Sequence, residues 1–255
     1  MIKSPLKNTA IPNKCLDIIL QKIPQGSVVD SFVLFSGQLE ISLAQYNRFV
    51  CAHTNKYAVY EFWYSLMMEP KRIYDVVTSD KFKFQPDMFE ILQEKWVEYK
   101  DPIIRSALFF MLNQASDTGA ISSGKLVHKP MNPLSLANLR AYEGMENLHF
   151  ILDKDSEITD TINSKLLGQY VIVSCGNFSY NLFEESKNIG YDMTNINHKK
   201  LRDVMKSSDK NIMLIYNYDK RLHNFFKNNK VTYVDKYGKQ TEKRDNAVEV
   251  IIANF

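Results

Sequence analysis

Residues 169–177, QYVIVSCGN, decide how this chain is read. Tyr170 to Val173 is a short β-branched and aromatic run, the composition of a strand buried on both faces, and it stops abruptly at Ser174-Cys175-Gly176-Asn177. In a doubly wound α/β domain the loop beyond the carboxyl end of a central strand is where chemistry is placed. This loop holds no carboxylate, no proline and no general base.

On the amino-terminal side, Leu16, Ile19, Leu20 and Ile23 share one helical face, and Pro24-Gln25-Gly26 ends that helix. Val28 to Phe35 reads as a first buried strand, Gln38 to Ala44 as the helix after it, and Arg48 to Ala52 as a second strand closed by His53-Thr54-Asn55. Tyr57 to Met68 is an aromatic helix in which Tyr57, Tyr60, Tyr64 and Met68 recur at helical spacing. The preferred reading packs that stripe against the sheet. Three helical patterns follow without a strand, at Pro70–Thr78, Gln85–Tyr99 and Pro102–Ala115, then a polar stretch from Asp117 to Pro133 that reads as a surface loop or hairpin. Such a run of helices interrupting βα alternation predicts an insert. Alternation then resumes and closes on Val231–Val234 and Val248–Ile252, an antiparallel hairpin around Tyr237-Gly238-Lys239.

Composition narrows the classes. The 255 residues, 45% hydrophobic, suffice for one large core with an insert. Lys and Arg number 32 against 29 Asp and Glu, so net charge alone does not argue for a polyanionic partner. The three cysteines, Cys15, Cys51 and Cys175, have no CxxC spacing, and the five histidines have no HxH or HxxxH spacing, so neither disulfides nor a metal is expected. No apolar run approaches the roughly 20 residues of a membrane span. The stretch MIKSPLKNTAIPNK lacks an apolar signal core, so the expected location is cytoplasmic, in a bacterium or a virus-infected host cell.

The order of motifs resembles the Dam-like class of N6-adenine DNA methyltransferases over nearly the whole chain. The similarity is carried by Ser4-Pro5-Leu6-Lys7 with Lys14, by Val29 to Phe32, and by Phe110 to Asn113 with Gly119, Gly124-Lys125 and Pro130. It continues through Tyr191, Asn197-His198 and Leu201, Met213 to Asn217, and Glu249 to Phe255. The resemblance implies an α/β fold: a three-layer, Rossmann-like methyltransferase sandwich with a mixed sheet, an antiparallel C-terminal hairpin and a helical insert. Residues 1–68 and 134–255 would form the α/β domain, and 69–133 the insert and loop of a DNA-recognition subdomain.

The chemistry of that family is missing at the matching positions. Its Asp-Pro-Pro-Tyr loop holds a flipped adenine. The matched residues are Ser174, Cys175, Gly176 and Asn177, with Tyr180 the nearest aromatic ring considered for stacking. The S-adenosylmethionine site needs a glycine-rich turn after the first strand, where this chain has Leu34, Phe35 and a lone Gly37. Asp30 is kept as the first acidic residue. His53 replaces the carboxylate expected to hold the ribose, and Ile11-Pro12-Asn13 replaces the glycine pair before Lys14. With four motifs lost on a retained framework, no catalytic residue and no cofactor are expected, and Lys14, Asp30, Gly37 and His53 are vestiges of the cofactor site.

The leading expectation is therefore a catalytically degenerate methyltransferase-like protein acting as a DNA-binding or protein-interaction module, with an active methyltransferase or a viral assembly among its partners. Two alternatives stand beside it. One is an atypical S-adenosylmethionine-dependent adenine methyltransferase recruiting Asp30, Tyr180 or Asp192, and the other is an assembly protein without nucleic-acid binding. Cys175 with His198 or His53 as base is weighed as a nucleophile and set below a buried structural thiol. For DNA, Lys125, His128 and Lys129 in the long loop and Lys236, Lys239 and Lys243 around the basic hairpin tip are the chosen residues.

Overall fold

The computed structural model describes residues 2–7, 14–79, 86–122, 124–127, 131–154, 156–164, 168–178, 194 and 196–255. The central strands are apolar at nearly every position because both faces are covered. In β4 (Tyr170–Gly176), Val171, Val173 and Cys175 face one layer while Ile172 faces the other. In β5 (Asn211–Asn217), Ile212, Leu214 and Tyr216 face one way, and Met213 and Ile215 the other. This two-sided burial makes a three-layer α/β sandwich.

The eight strands are ordered β3-β2-β1-β4-β5-β8-β6-β7. Parallel pairing joins β1 (Val28–Phe32) to β2 (Phe49–Thr54) and β4, β2 to β3 (Leu148–Leu152), and β4 to β5. β8 (Ala247–Ala253) runs antiparallel between β5 and β6 (Lys230–Asp235). The sheet is therefore mixed, as expected. The expected terminal hairpin is subdivided: Tyr237-Gly238-Lys239 turns β6 into the two-residue β7 (Gln240–Thr241), and a one-turn helix at Arg244–Asn246 leads into β8.

One layer holds α1 (Leu16–Lys22), α2 (Gln38–Gln45) and α3 (Tyr57–Met68), together with α4 (Pro70–Thr78), α5 (Pro86–Lys95), α6 (Pro102–Ala115) and α7 (Pro133–Arg140). Ile73, Val77, Phe89, Leu92, Trp96 and Leu108 join one apolar cluster with Val29, Val50 and Ile172, so α4, α5 and α6 share a core with the sheet. The opposite layer is α8 (Ile158–Ser164), α9 (His198–Ser207) and α10 (Arg221–Phe225), packed through Ile162, Leu201, Val204, Leu222 and Phe226.

One expectation is overturned. Tyr57, Tyr64 and Met68 on α3 are 56%, 49% and 63% exposed, with Tyr60 half-buried and stacked on Tyr64. The face that packs inward is Ala58, Val59, Phe62, Trp63 and Leu66. Both faces of this helix are apolar by composition. The face carrying phenol hydroxyls goes to solvent because burying them unpaired would be costly.

The N-terminal segment is held by a buried amide. Asn113 Oδ1 accepts from the Lys7 N–H at 2.7 Å, while its Nδ2 donates to the carbonyls of Lys7 (3.0 Å) and Gly119 (2.8 Å). The N-terminal segment and the turn after α6 thus meet at one side chain. Asn113→Leu leaves those backbone groups without their partners, at a cost of about 1–3 kcal/mol for each one that stays buried. We expect a lower urea midpoint and faster proteolysis within residues 2–7. An unchanged midpoint would mean that the amide is dispensable.

Candidate functional site

β1, β2 and β3 present their carboxyl ends side by side, and a chain of three ionisable side chains crosses them. Asp30, fully buried on β1, accepts from His53 Nε2 at 2.9 Å; His53 Nδ1 meets Asp153, just beyond β3, at 2.8 Å. The second oxygen of Asp30 accepts the Gly168 N–H at 2.8 Å. Phe32 stacks on the imidazole, with centroids 4.5 Å apart and planes at 14°. Burial by itself pushes the His53 pKa down. The hydrogen bonds and negative charges of Asp153 and Asp30 outweigh that effect and hold it above the usual histidine range. Both ring nitrogens of His53 thus face carboxylates that favour its protonated form, and it lies within β2, one residue inside the strand end rather than in the loop the sequence suggested.

The turn after β1 is filled. Leu34 and Phe35 are buried, and Trp63 from α3 donates its indole N–H to the Phe35 carbonyl at 2.9 Å. The Trp63 ring lies so close to Gly37 (φ +65°) that a Cβ there would sit 2.5 Å from it. Gly37 is therefore required by a tryptophan of the same chain. Val33 adopts φ +67°, a left-handed conformation that is strained for a β-branched residue, so the backbone turns like a glycine loop without the glycine. A cleft at this edge, lined by Phe32, Val33, His53, Asn55, Asp153 and neighbouring hydroxyl side chains, has a cavity volume of about 10 Å³. That is below the roughly 300–1,000 Å³ of ordinary small-molecule sites.

The four residues matched to the catalytic loop are placed differently from expectation. Ser174, Cys175 and Gly176 are the buried end of β4, which pairs with β5 through an irregularity between Ser174 and Gly176. Only Asn177 is exposed, accepting from Asn217 Nδ2 at 2.8 Å. Next comes Phe178, an aromatic ring overlooked in favour of Tyr180. It is buried among His198, Tyr216 and Phe225, with the Arg221 guanidinium over its face. Tyr180 and Asp192 lie outside the described residues. Burial pushes the Cys175 thiol up to about 12 and His198 down to about 4. His198 bonds to the Tyr216 hydroxyl at 3.0 Å. Cys175 and His198 each meet Tyr216, a packing arrangement without a thiolate to attack.

Lys14 is separate from the Asp30–His53 pair. Its backbone N–H donates to the Glu249 carboxylate on β8 at 2.9 Å, and its carbonyl backs Gly238 so closely that a Cβ there would sit 2.7 Å away. The N-terminal segment thereby braces the basic hairpin, where Lys236, Lys239 and Lys243 are exposed and Tyr237 is 74% exposed. Asp235 shapes the tip by accepting from the N–H groups of Tyr237 and Lys239. Lys125 is exposed at the base of a small hairpin closed by a Ser116–Leu126 bridge. His128 and Lys129 lie outside the described residues. Part of the basic excess of the C-terminal third is neutralised locally, by the pairs Lys200–Glu157, Arg202–Asp203, Lys206–Asp203 and Arg221–Asp219. Among the described residues no group of three or more His, Cys, Asp or Glu side chains could hold a metal ion, and no helix is long and apolar enough to cross a membrane.

The pH dependence of stability follows from His53. A folded pKa raised above the unfolded value of about 6.5 gives stabilisation that is complete below that value and is lost as pH rises through the folded pKa. Urea midpoints from pH 6 to 9 should fall across this window for the natural chain. In His53→Gln the fall should be much shallower, from a lower starting midpoint. Parallel profiles in the two proteins would show that His53 is not cationic when folded.

No protein-family model matches this chain, and no curated protein matches it significantly.

Proposed function

We propose that this chain is a methyltransferase-like sandwich that has lost cofactor binding and methyl transfer and acts as a nucleic-acid-binding module. The observation that carries the reading is the Asp30–His53–Asp153 chain at the sheet edge where a ribose would be held. Asp30 spends its two oxygens on His53 and Gly168. The turn that should admit the methionine end of S-adenosylmethionine is occupied by Leu34, Phe35 and Trp63. These residues do not fit the cofactor. The strand order, with four parallel neighbours joined through β5 to an antiparallel pair, supports the methyltransferase-like form of the sandwich. At the carboxyl end of β4 the chain offers a thiol, a glycine and an amide in place of a carboxylate that could hold an amino group.

Nucleic-acid binding is assigned to the hairpin tip, with Lys236, Lys239 and Lys243 approaching phosphates and Tyr237 the adjacent exposed ring. Lys236 Nζ lies 5.0 Å from the centroid of Tyr237, so cation and ring present themselves together. A second reading, docking onto a protein partner, is favoured by the exposed stripe of Tyr57, Tyr64 and Met68, residue types suited to interface cores.

Two titrations test the proposal. Calorimetry with S-adenosylmethionine should give no saturable heat, and micromolar binding would restore the enzyme reading. Binding of duplex DNA should weaken steeply with salt, and charge reversal at Lys236, Lys239 and Lys243 should lower the affinity by about tenfold or more while flattening the salt slope. If the natural chain binds no DNA at low salt, the protein-partner reading replaces this one.

A further inference from the structure

A second cleft opens on the α9–α10 side, away from the Asp30–His53 edge. Phe178, Arg202, Arg221, Asn224 and Phe225 line it, and its cavity volume is about 450 Å³. That lies within the ordinary size range of small-ligand sites, about 300–1,000 Å³. Its position fits the same physics, since Phe178 follows the carboxyl end of β4 and α10 follows β5, the edge of a parallel sheet where ligands bind.

The wall is built of paired rings and cations. The Arg202 guanidinium lies 4.7 Å from the centroid of Phe225, and that of Arg221 lies 5.2 Å from the centroid of Phe178. Arg221 is locked further by the Asp219 carboxylate, at 2.9 Å from Nε and 2.7 Å from Nη2, and by the Phe178 carbonyl at 2.7 Å. Two planar cations are thus fixed before any ligand arrives, which lowers the ordering cost of binding. Arg202 carries an unmet need. Its Nε is buried without a hydrogen-bond partner, the nearest carboxylate oxygen being that of Asp203 at 3.5 Å. A buried donor of this kind calls for an acceptor.

Charge decides how much anion the cleft takes. Asp219 pairs closely with Arg221 at 2.7 Å, while Arg202 has only the loose, half-exposed Asp203 at 3.5 Å, so one cation is left for an anion and the cleft suits one phosphate better than a polyphosphate. Guanidinium faces favour a planar ring stacked on them, and the Asn224 amide adds one donor and one acceptor. We propose that this cleft binds a nucleoside monophosphate group, with the phosphate on Arg202 and the base stacked on a guanidinium face. The group comes either from a free mononucleotide or from the 5′-phosphorylated end of a strand.

The test titrates the full chain with a purine and a pyrimidine nucleoside monophosphate, with the matching triphosphate, with inorganic phosphate, and with a short single strand with and without a 5′-phosphate. Saturable binding of a monophosphate, tighter than that of triphosphate or phosphate alone, is expected, and Arg202→Gln should weaken it by about tenfold or more. Binding confined to the 5′-phosphorylated strand, with the same loss in Arg202→Gln, assigns the group to nucleic-acid ends. If Arg202→Gln does not fold, Asn224→Asp is used instead, placing a negative charge beside the phosphate for the same loss. The proposal is overturned if the folded natural chain binds none of these probes, or if binding is the same in the folded variant.

Discussion

Everything at the carboxyl edge of the sheet depends on one buried histidine held between two carboxylates. His53 on β2 reaches Asp30 on β1 and Asp153 beyond β3, and Asp30 also accepts the N–H of Gly168 ahead of β4. The Asp30 carboxylate ties β1 to β2 and to the segment ahead of β4, and His53 extends the link to β3. A charged group in such a place is tolerated only when paired and hydrogen-bonded, and removing one partner leaves another charge stranded. The edge of a doubly wound sheet is where a ligand usually supplies such partners. Here the protein supplies them itself.

The neighbouring turn follows the same logic with apolar groups. Trp63 occupies the space over Gly37, and its indole N–H satisfies the Phe35 carbonyl. Val33 keeps a left-handed backbone at an energetic cost of about 1–3 kcal/mol that the surrounding contacts must offset. The backbone turns left-handed at Val33 as a glycine would, and the space over Gly37 is packed. Charge at the strand ends and packing at the turn both close the same edge.

Much of the framework was legible in the sequence because strands buried on both faces have a composition few other elements share. β4, β5 and β8 are near-continuous apolar runs, and the cap Asp101 followed by Pro102 marks the start of α6, where the Asp101 side chain accepts the Ile103 N–H. The site was legible only in part. His53 stands out in the sequence as a site candidate, but its partner Asp153 is 100 residues away and has no local signal. Ser174 to Gly176 read as loop because serine and glycine are turn formers, yet an irregularity in the β4–β5 ladder carries the strand through them. The tyrosine stripe of α3 was assigned to the wrong face because periodicity finds two apolar faces on that helix without ranking them. Tyrosine, with an apolar body and a polar tip, belongs to either.

The most direct measurement is nuclear magnetic resonance of the His53 imidazole nitrogens across pH, with and without S-adenosylmethionine. A self-satisfied edge predicts two protonated ring nitrogens near neutral pH, a pKa above the ordinary histidine value, and signals that stay unchanged when the cofactor is added. A neutral ring titrating at or below that value, or signals that shift on cofactor addition, would contradict it.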